Sequence, residues 1–236
     1  MKLRSLHITS SPGDVPEGKA LINTINAWSF VVAQGDPEFA DALRGGDALI
    51  PDGKSIVWAS RFLKMPDAPR ERIAGWDLFC FEMERLGERG GKCFFLGSSE
   101  RVLEQIRARA AEDYPDVKVE TYSPPYKEEF SPEDNAAMIR AVNDANPDLL
   151  WIGMTAPKQE KWAFEHWDEL QINCHCAAIG AVFDFYAGTV KRAPRWMQRA
   201  GLEWLHRLCS NPRRLWRRYI VGNARFVWYI LKEKYE

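Results

Sequence analysis

No run in this sequence approaches the roughly 18 consecutive apolar residues that a membrane-spanning helix needs. The opening stretch, MKLRSLHITSS, has neither an apolar run nor a small-residue cleavage site, so no signal peptide is expected. Cysteine is sparse and odd in number: Cys80, Cys93, Cys174, Cys176 and Cys209 argue against a disulfide framework and for a reducing compartment. Cys174-His175-Cys176 has metal-binding residue types. On a strand, however, its two thiols would share one face and the imidazole the other, and no second ligand cluster accompanies it. Internal repeats and low-complexity tracts are missing, which speaks against solenoids and disorder. No Gly-x-Gly-x-x-Gly comes after the first apolar run, and this disfavours a dinucleotide-dependent oxidoreductase.

What is present is enough for a sizeable core. The 236 residues are 46% hydrophobic and 28% charged, which suits one compact α/β domain with an appendage, or two small lobes. Strands are expected at Ala20–Ile25, Ala48–Ile50, Lys92–Leu96, Val117–Thr121, Leu149–Ile152 and Cys174–Ile179. Helices are expected near Pro37–Leu43, Ser55–Phe62, Trp76–Leu86, Ser99–Ala111, Pro132–Ala145 and Lys158–Trp167. Strands alternating with helices of this length predict βαβ units and a mostly parallel sheet. Ligands of such sheets bind beyond the carboxyl ends of the strands. Five of the expected strands run there into small or polar residues, enough to line a nucleotide-sized rim.

The residues at those exits carry open alternatives. Gly97-Ser98-Ser99 could present backbone N–H groups to a phosphate, or simply turn the chain with a serine cap. Asp52, before Gly53, could take a proton from an attacking hydroxyl or cap the next helix. Thr24 and Asn26 also have an ordinary use in local turns. Gly153, Thr155, Pro157, Lys158 and Gln159 concentrate donors at a strand-to-helix junction. Asp184, between two phenylalanines, needs a partner, which could be a ribose or an arginine such as Arg192 or Arg195.

The C-terminal part is a different physical object. From Lys191 onward there are twelve Lys/Arg and three Asp/Glu, in a chain whose formal net charge is −1. The expected division is therefore an α/β core over 1–190 and a basic helical appendage over 191–236. On a helical wheel Leu215, Trp216, Tyr219, Ile220, Phe226, Val227 and Ile230 share one arc, opposite Arg213, Arg214, Arg217, Arg218 and Arg225. Val221, Asn223 and Trp228 fall outside that pattern. A basic amphipathic helix edged with Trp and Tyr suits an anionic membrane interface, or it packs on the core with a solvated basic face. Nucleic acid is a third option, disfavoured by the acidic remainder of the chain.

Taken together, INTIN (Ile22–Asn26), PDGKSIVWA (Pro51–Ala59), RERIAGWDL (Arg70–Leu78), FFLGSS (Phe94–Ser99), GMTAPKQEKW (Gly153–Trp162), GAVFDFYAGTVKRAPRWM (Gly180–Met197) and GLEWLHRL (Gly201–Leu208) resemble the WecG/TagA/CpsF glycosyltransferases. The resemblance implies a Rossmann-like core of the GT-E type with a C-terminal membrane-binding appendage. It implies an inverting, metal-independent transfer from a UDP-sugar to an undecaprenyl-diphosphate-linked sugar, at the cytoplasmic face of a bacterial inner membrane. Asp52 matches the family's proposed base, Thr24 and Asn26 its nearby polar pair, Gln159 the glutamine of its donor site, and Arg72 the arginine of its R-x-x-G-x-D segment. Gly53, Gly97, Ser98, Gly153, Thr155, Pro157, Lys158 and Asp184 complete the expected donor set. Arg192, Arg195, Arg207, Arg213, Arg214, Arg217 and Arg218 are expected to meet the acceptor diphosphate and the membrane. Self-association is also implied; nucleic acid is not. Lys54, Ser55 and Trp76 stand where the family often has smaller residues.

The expected chemistry agrees with the residue types. The sequence contains no Asp-x-Asp, the usual metal–diphosphate holder of many nucleotide-sugar enzymes. Leaving-group charge would then fall to backbone N–H groups and cations. The rival from another class is a non-catalytic peripheral membrane adaptor that uses the same basic tail.

Overall fold

The computed structural model describes residues 1–236. Six strands, β1 (Ala20–Ile25), β2 (Ala48–Pro51), β3 (Gly91–Gly97), β4 (Val117–Tyr122), β5 (Leu149–Gly153) and β6 (His175–Ala178), form one sheet. Their order is β2-β1-β6-β5-β3-β4, and every pairing is parallel. The expected α/β class and parallel sheet are therefore observed, and all six strands lie within two residues of their expected ends.

The helices are α1 (Ala27–Val32), α2 (Pro37–Gly45), α3 (Lys54–Phe62), α4 (Gly75–Arg89), α5 (Glu100–Asp113), α6 (Pro132–Ala145), α7 (Lys158–Glu165) and α8 (Gly180–Tyr186). The C-terminal part consists of α9 (Arg195–Ala200), α10 (Glu203–Ser210), α11 (Pro212–Trp216), a π turn over Arg217–Val221, and α12 (Gly222–Tyr235). No helix is long and apolar enough to cross a membrane. The short helices α1 and α8 carry no visible amphipathic period, because six or seven largely apolar residues buried in the fold need none.

Both faces of the sheet are covered, as a parallel sheet requires. Successive strand residues point to opposite sides. Phe95 and Trp151 pack with Leu78, Phe79 and Met83 of α4, Leu103 and Ile106 of α5, and Phe183 of α8. Their neighbours Phe94 and Leu150 pack with Met138 and Val142 of α6 and Trp162 of α7. Cys174 and Cys176 lie buried on this second side. His175 points the other way, where Nδ1 meets Glu82 at 2.9 Å and Nε2 meets the Pro16 carbonyl at 3.0 Å. The Cys-His-Cys run is thus consumed by the core, and no three His, Cys, Asp or Glu side chains converge as a metal-binding group.

A third apolar cluster joins α1, α2, α3 and α12. Phe226 and Ile230 of α12 are buried in it, with the Phe226 ring edge-on to Phe30 at 5.5 Å. Gly222 sits where α12 crosses α1: a Cβ there would lie 2.7 Å from the Trp28 ring. Glu233 accepts hydrogen bonds from the N–H groups of Leu3 (2.7 Å) and Arg4 (2.8 Å), so the two ends of the chain meet.

This corrects the helical wheel, which set Phe226 and Ile230 on one apolar arc with Trp216, Ile220 and Val227. The wheel assumed one uninterrupted α-helical phase. The π turn breaks it: the Gly222 N–H donates to the Arg217 carbonyl, five residues back. That extra residue rotates α12 relative to α11. Phe226 and Ile230 face α1, whereas Trp216, Ile220, Val227, Trp228, Leu231 and Tyr235 remain exposed.

Candidate active site

The sheet order brings five strand exits side by side, in the sequence β2, β1, β6, β5, β3. These are the five exits expected to form a rim. The Asp52 N–H donates to the Ile25 carbonyl at 2.8 Å, which ties the end of β2 to the end of β1. A Cβ on Gly53 would lie 3.7 Å from Asn26 Cβ, so Asn26 and the Asp52 loop are neighbours. At the other end of the rim Gly97 pairs with Gly153, and any Cβ on Gly97 would fall 2.4 Å from the Gly153 carbonyl oxygen. The φ of +117° at Gly97 reinforces that restriction. Between these pairs, Gln159 Oε1 accepts from the N–H groups of Met154 (3.1 Å) and Gly180 (3.2 Å), clasping the ends of β5 and β6.

Asp52 is the residue whose open alternative the structure decides most clearly. Gly53, with φ +155°, is the N-terminal cap of α3, and no side chain caps that helix. Asp52 therefore does not serve as a cap. Its carboxyl is raised above the ordinary value of 3.8, chiefly by burial. Arg72 opposes that rise, Glu203 adds to it, and Arg207 and Arg218 oppose it again. Desolvation and the arginines thus act on the half-buried Asp52 in opposite directions, and desolvation prevails.

Three of those four neighbours come from far along the chain, outside the strand exits. Arg72 Nη1 meets Glu203 Oε2 at 2.9 Å, with both side chains 16% exposed. Arg192 Nε lies 3.8 Å from the other Glu203 oxygen, and its guanidinium stacks 5.0 Å from the Trp76 ring. Arg207 lies 5.6 Å from the Phe185 ring. Arg218, on the π turn, is pulled below its ordinary pKa mainly by burial, and its Nε has no hydrogen-bond partner. Arg207 and Arg218 thus gather near Asp52, while Arg192 lies beside Glu203. Arg195, Arg213, Arg214 and Arg217 are exposed instead.

The remaining expected residues differ in what holds them. Thr24 is half-buried on β1, and Asn26 Oδ1 caps α1 by accepting from the N–H groups of Trp28 (3.0 Å) and Ser29 (3.1 Å). Ser98 adopts φ +60° at the β3 exit, and Ser99 begins α5 without a side-chain cap bond. Thr155 is exposed on the rim, and Pro157 directly precedes α7. Lys158 is turned away to the loop before α6: its ammonium donates to the Lys127 carbonyl at 2.6 Å and sits 3.4 Å from the Phe130 ring centre. Asp184 accepts from the Thr189 hydroxyl at 3.2 Å, so of the two partners considered for it, a ribose or an arginine, the arginine is not the one it meets. Gln159 is buried and its amide is engaged at both ends, its Nε2 donating to Glu160 at 2.8 Å.

Two residues of the site receive no role from the sequence, although Glu160 stands among the polar residues at the junction after β5. Glu160 is 2% exposed; burial pushes its carboxyl up to about 7, and its Oε2 has no partner. Arg218 opposes that rise. Glu203 lies inside the GLEWLHRL motif, and its signal was being one of the few acids in a basic segment. A depression of about 420 Å³ lined by Glu84, Glu88, Asp113, Tyr114 and Asp116 lies at the opposite, amino end of the strands.

Fold and rim together define an α/β protein with a half-buried carboxylate, Asp52, set among arginines at the strand carboxyl ends. Comparison with known proteins gives that class a family. Residues 13–236 match the model of the glycosyl transferase WecG/TagA/CpsF family, and the chain belongs to that family. Among its relatives is the N-acetylglucosaminyldiphosphoundecaprenol N-acetyl-beta-D-mannosaminyltransferase of Bacillus subtilis (strain 168), 30% identical over 91% of this chain and 80% of the relative. A protein of the same description from Bacillus spizizenii (strain ATCC 23059 / NRRL B-14472 / W23) is 28% identical over 97% of this chain and 84% of the relative. The chain is a glycosyltransferase.

Proposed function

We propose that this chain transfers a sugar, with inversion and without a metal ion, from a UDP-sugar to a saccharide carried on undecaprenyl diphosphate, in cell-surface polysaccharide assembly. The acceptor class is supported by the relatives, whose names specify an N-acetylglucosamine-diphosphoundecaprenol acceptor. An N-acetylhexosamine donor is the matching choice on the donor side. The single observation that carries the mechanism is Asp52: a half-buried carboxylate at the exit of β2, with raised proton affinity, that caps no helix.

In this reading Asp52 takes the proton from the acceptor hydroxyl as that oxygen attacks the anomeric carbon. The bond from that carbon to the UDP oxygen breaks, and negative charge grows on the departing diphosphate. Backbone N–H groups of the Gly97 and Gly153 loops and the gathered arginines are the available groups to meet it. Arg192, Arg207 and Arg218 arrive on the basic tail, whose exposed Trp196, Trp204, Trp216 and Ile220 suit a membrane interface. Contact with anionic lipid and delivery of cations to the site are then one event. Asp52→Asn tests the reading: turnover should fall by about 10³-fold or more, with UDP binding retained in calorimetry. Turnover near the wild-type rate would remove Asp52 from the chemistry.

A further inference from the structure

Glu203 occupies an unusual place for an acid. It opens α10 in a segment otherwise dominated by arginine, and the two other acids after Lys191 lie in the last four residues. Its two oxygens face two cations from different parts of the chain. Arg72, 131 positions away on the loop between α3 and α4, is held at 2.9 Å. Arg192, in the segment between α8 and α9, lies at 3.8 Å. Both the Arg72 and the Glu203 side chains are only 16% exposed, so this is not a solvated surface pair. Breaking such a pair leaves a poorly hydrated charge behind, which gives it more influence than an exposed pair has.

We propose that Glu203 is a positioning residue for sugar transfer: by holding Arg72 beside Asp52 it sets the charge balance around the base and fastens the first half of the tail over the rim. The inference rests on the reading of Asp52 as the base. Four charged side chains act on Asp52: Arg72 from the α3–α4 loop, Glu203 and Arg207 from α10, and Arg218 from the π turn. Three of them are cations that lower its affinity for a proton; Glu203 alone raises it. Without that carboxylate, Asp52 would face unshielded arginines and become a weaker base. The same ion pair ties the core to residues 191–216, a stretch that buries only Ala193.

The test is the pH dependence of kcat/KM in full-length variants, read together with amide hydrogen exchange. Glu203→Gln keeps a hydrogen-bonding group for Arg72 but removes the charge. Its acid limb should move to lower pH, whereas Arg72→Gln should move the limb to higher pH. Limbs that stay in place, or move in the same direction, overturn the charge-balance role. Glu203→Ala should lower kcat/KM by about 10²-fold and speed exchange across 203–210 while 222–235 keeps its protection; unchanged exchange over 203–210 overturns the fastening role. Glu203→Asp should recover most of the lost activity. Asp52→Asn in the same assay separates the two readings. If it retains turnover, the assignment of the base is wrong. If it is inactive and the limb of Glu203→Gln does not move, Glu203 alone loses its role.

Discussion

The two halves of the basic tail are held to the rest of the chain by different forces. Between 191 and 221 only Ala193 is buried, and the fastenings are polar: Glu203 on Arg72, Lys54 on the Arg199 carbonyl, and Arg192 and Arg207 against aromatic rings. From 222 onward Gly222, Phe226, Ile230 and Glu233 are buried at a spacing of three or four residues, against α1 and the N-terminal segment. The desolvation of a half-buried ion pair offsets much of its attraction, and lifting the segment rehydrates both charges together, so its net contribution is small, whereas burying one Phe or Ile side chain contributes about 1.5–3 kcal/mol. The second half is therefore part of the folded domain. The first half can lift from the rim at modest cost, as a tail that senses a membrane would need.

The sharpest way to break that contrast is Phe226→Ala, which leaves a cavity beside Phe30. It should cost about 3–5 kcal/mol, read by chemical denaturation. A loss below about 1 kcal/mol would mean that α12 is held no more firmly than α10.

Glu160, which feels Arg218 of the π turn, gives a pH-dependent version of the comparison. Burial places its folded-state pKa at about 7, above the ordinary 4.5. A raised folded value means that its contribution to stability is fully present below about 4.5 and is lost as pH rises through about 7. Glu160→Gln should therefore resemble the wild type at pH 5 and be more stable at pH 8, by about 2–3 kcal/mol. Equal melting temperatures at pH 8 would show that Arg218 already compensates the charge.

The smallest expected effect on stability belongs to Trp216→Ala, in the half that buries almost nothing. Denaturation should change by no more than about 0.5 kcal/mol, while co-sedimentation with vesicles containing anionic phospholipid should weaken. Full vesicle binding by this variant would remove Trp216 from the proposed membrane contact.

Much of the core was legible from residue order alone. The alternation of apolar runs with helical patterns located all six strands and the main helices, because burial on both faces of a parallel sheet forces continuous apolar stretches. The rim was legible for the same reason, since strand exits in such a sheet share one edge. The arginines of the tail were legible as a group, but their separate fates were not. Arg218 is drawn in near Asp52 while its neighbour Arg217 is exposed. Adjacent helical residues point about 100° apart, and composition does not say which side the rest of the fold covers.

By itself, the sequence determined the α/β class, the family, the set of strand exits and the concentration of positive charge after residue 190. These depend on local composition and on motif order. Tertiary structure decided that Asp52 caps nothing, that Gln159 spends its amide clasping β5 to β6, and that Glu203 reaches across 131 positions to Arg72. It also decided that the tail divides at the π turn into a docked helix and a lightly fastened segment. The physical reason is common to all four: a side chain's role depends on which partner's polar atoms or apolar surface lie within a few ångströms, and chain order does not contain that distance.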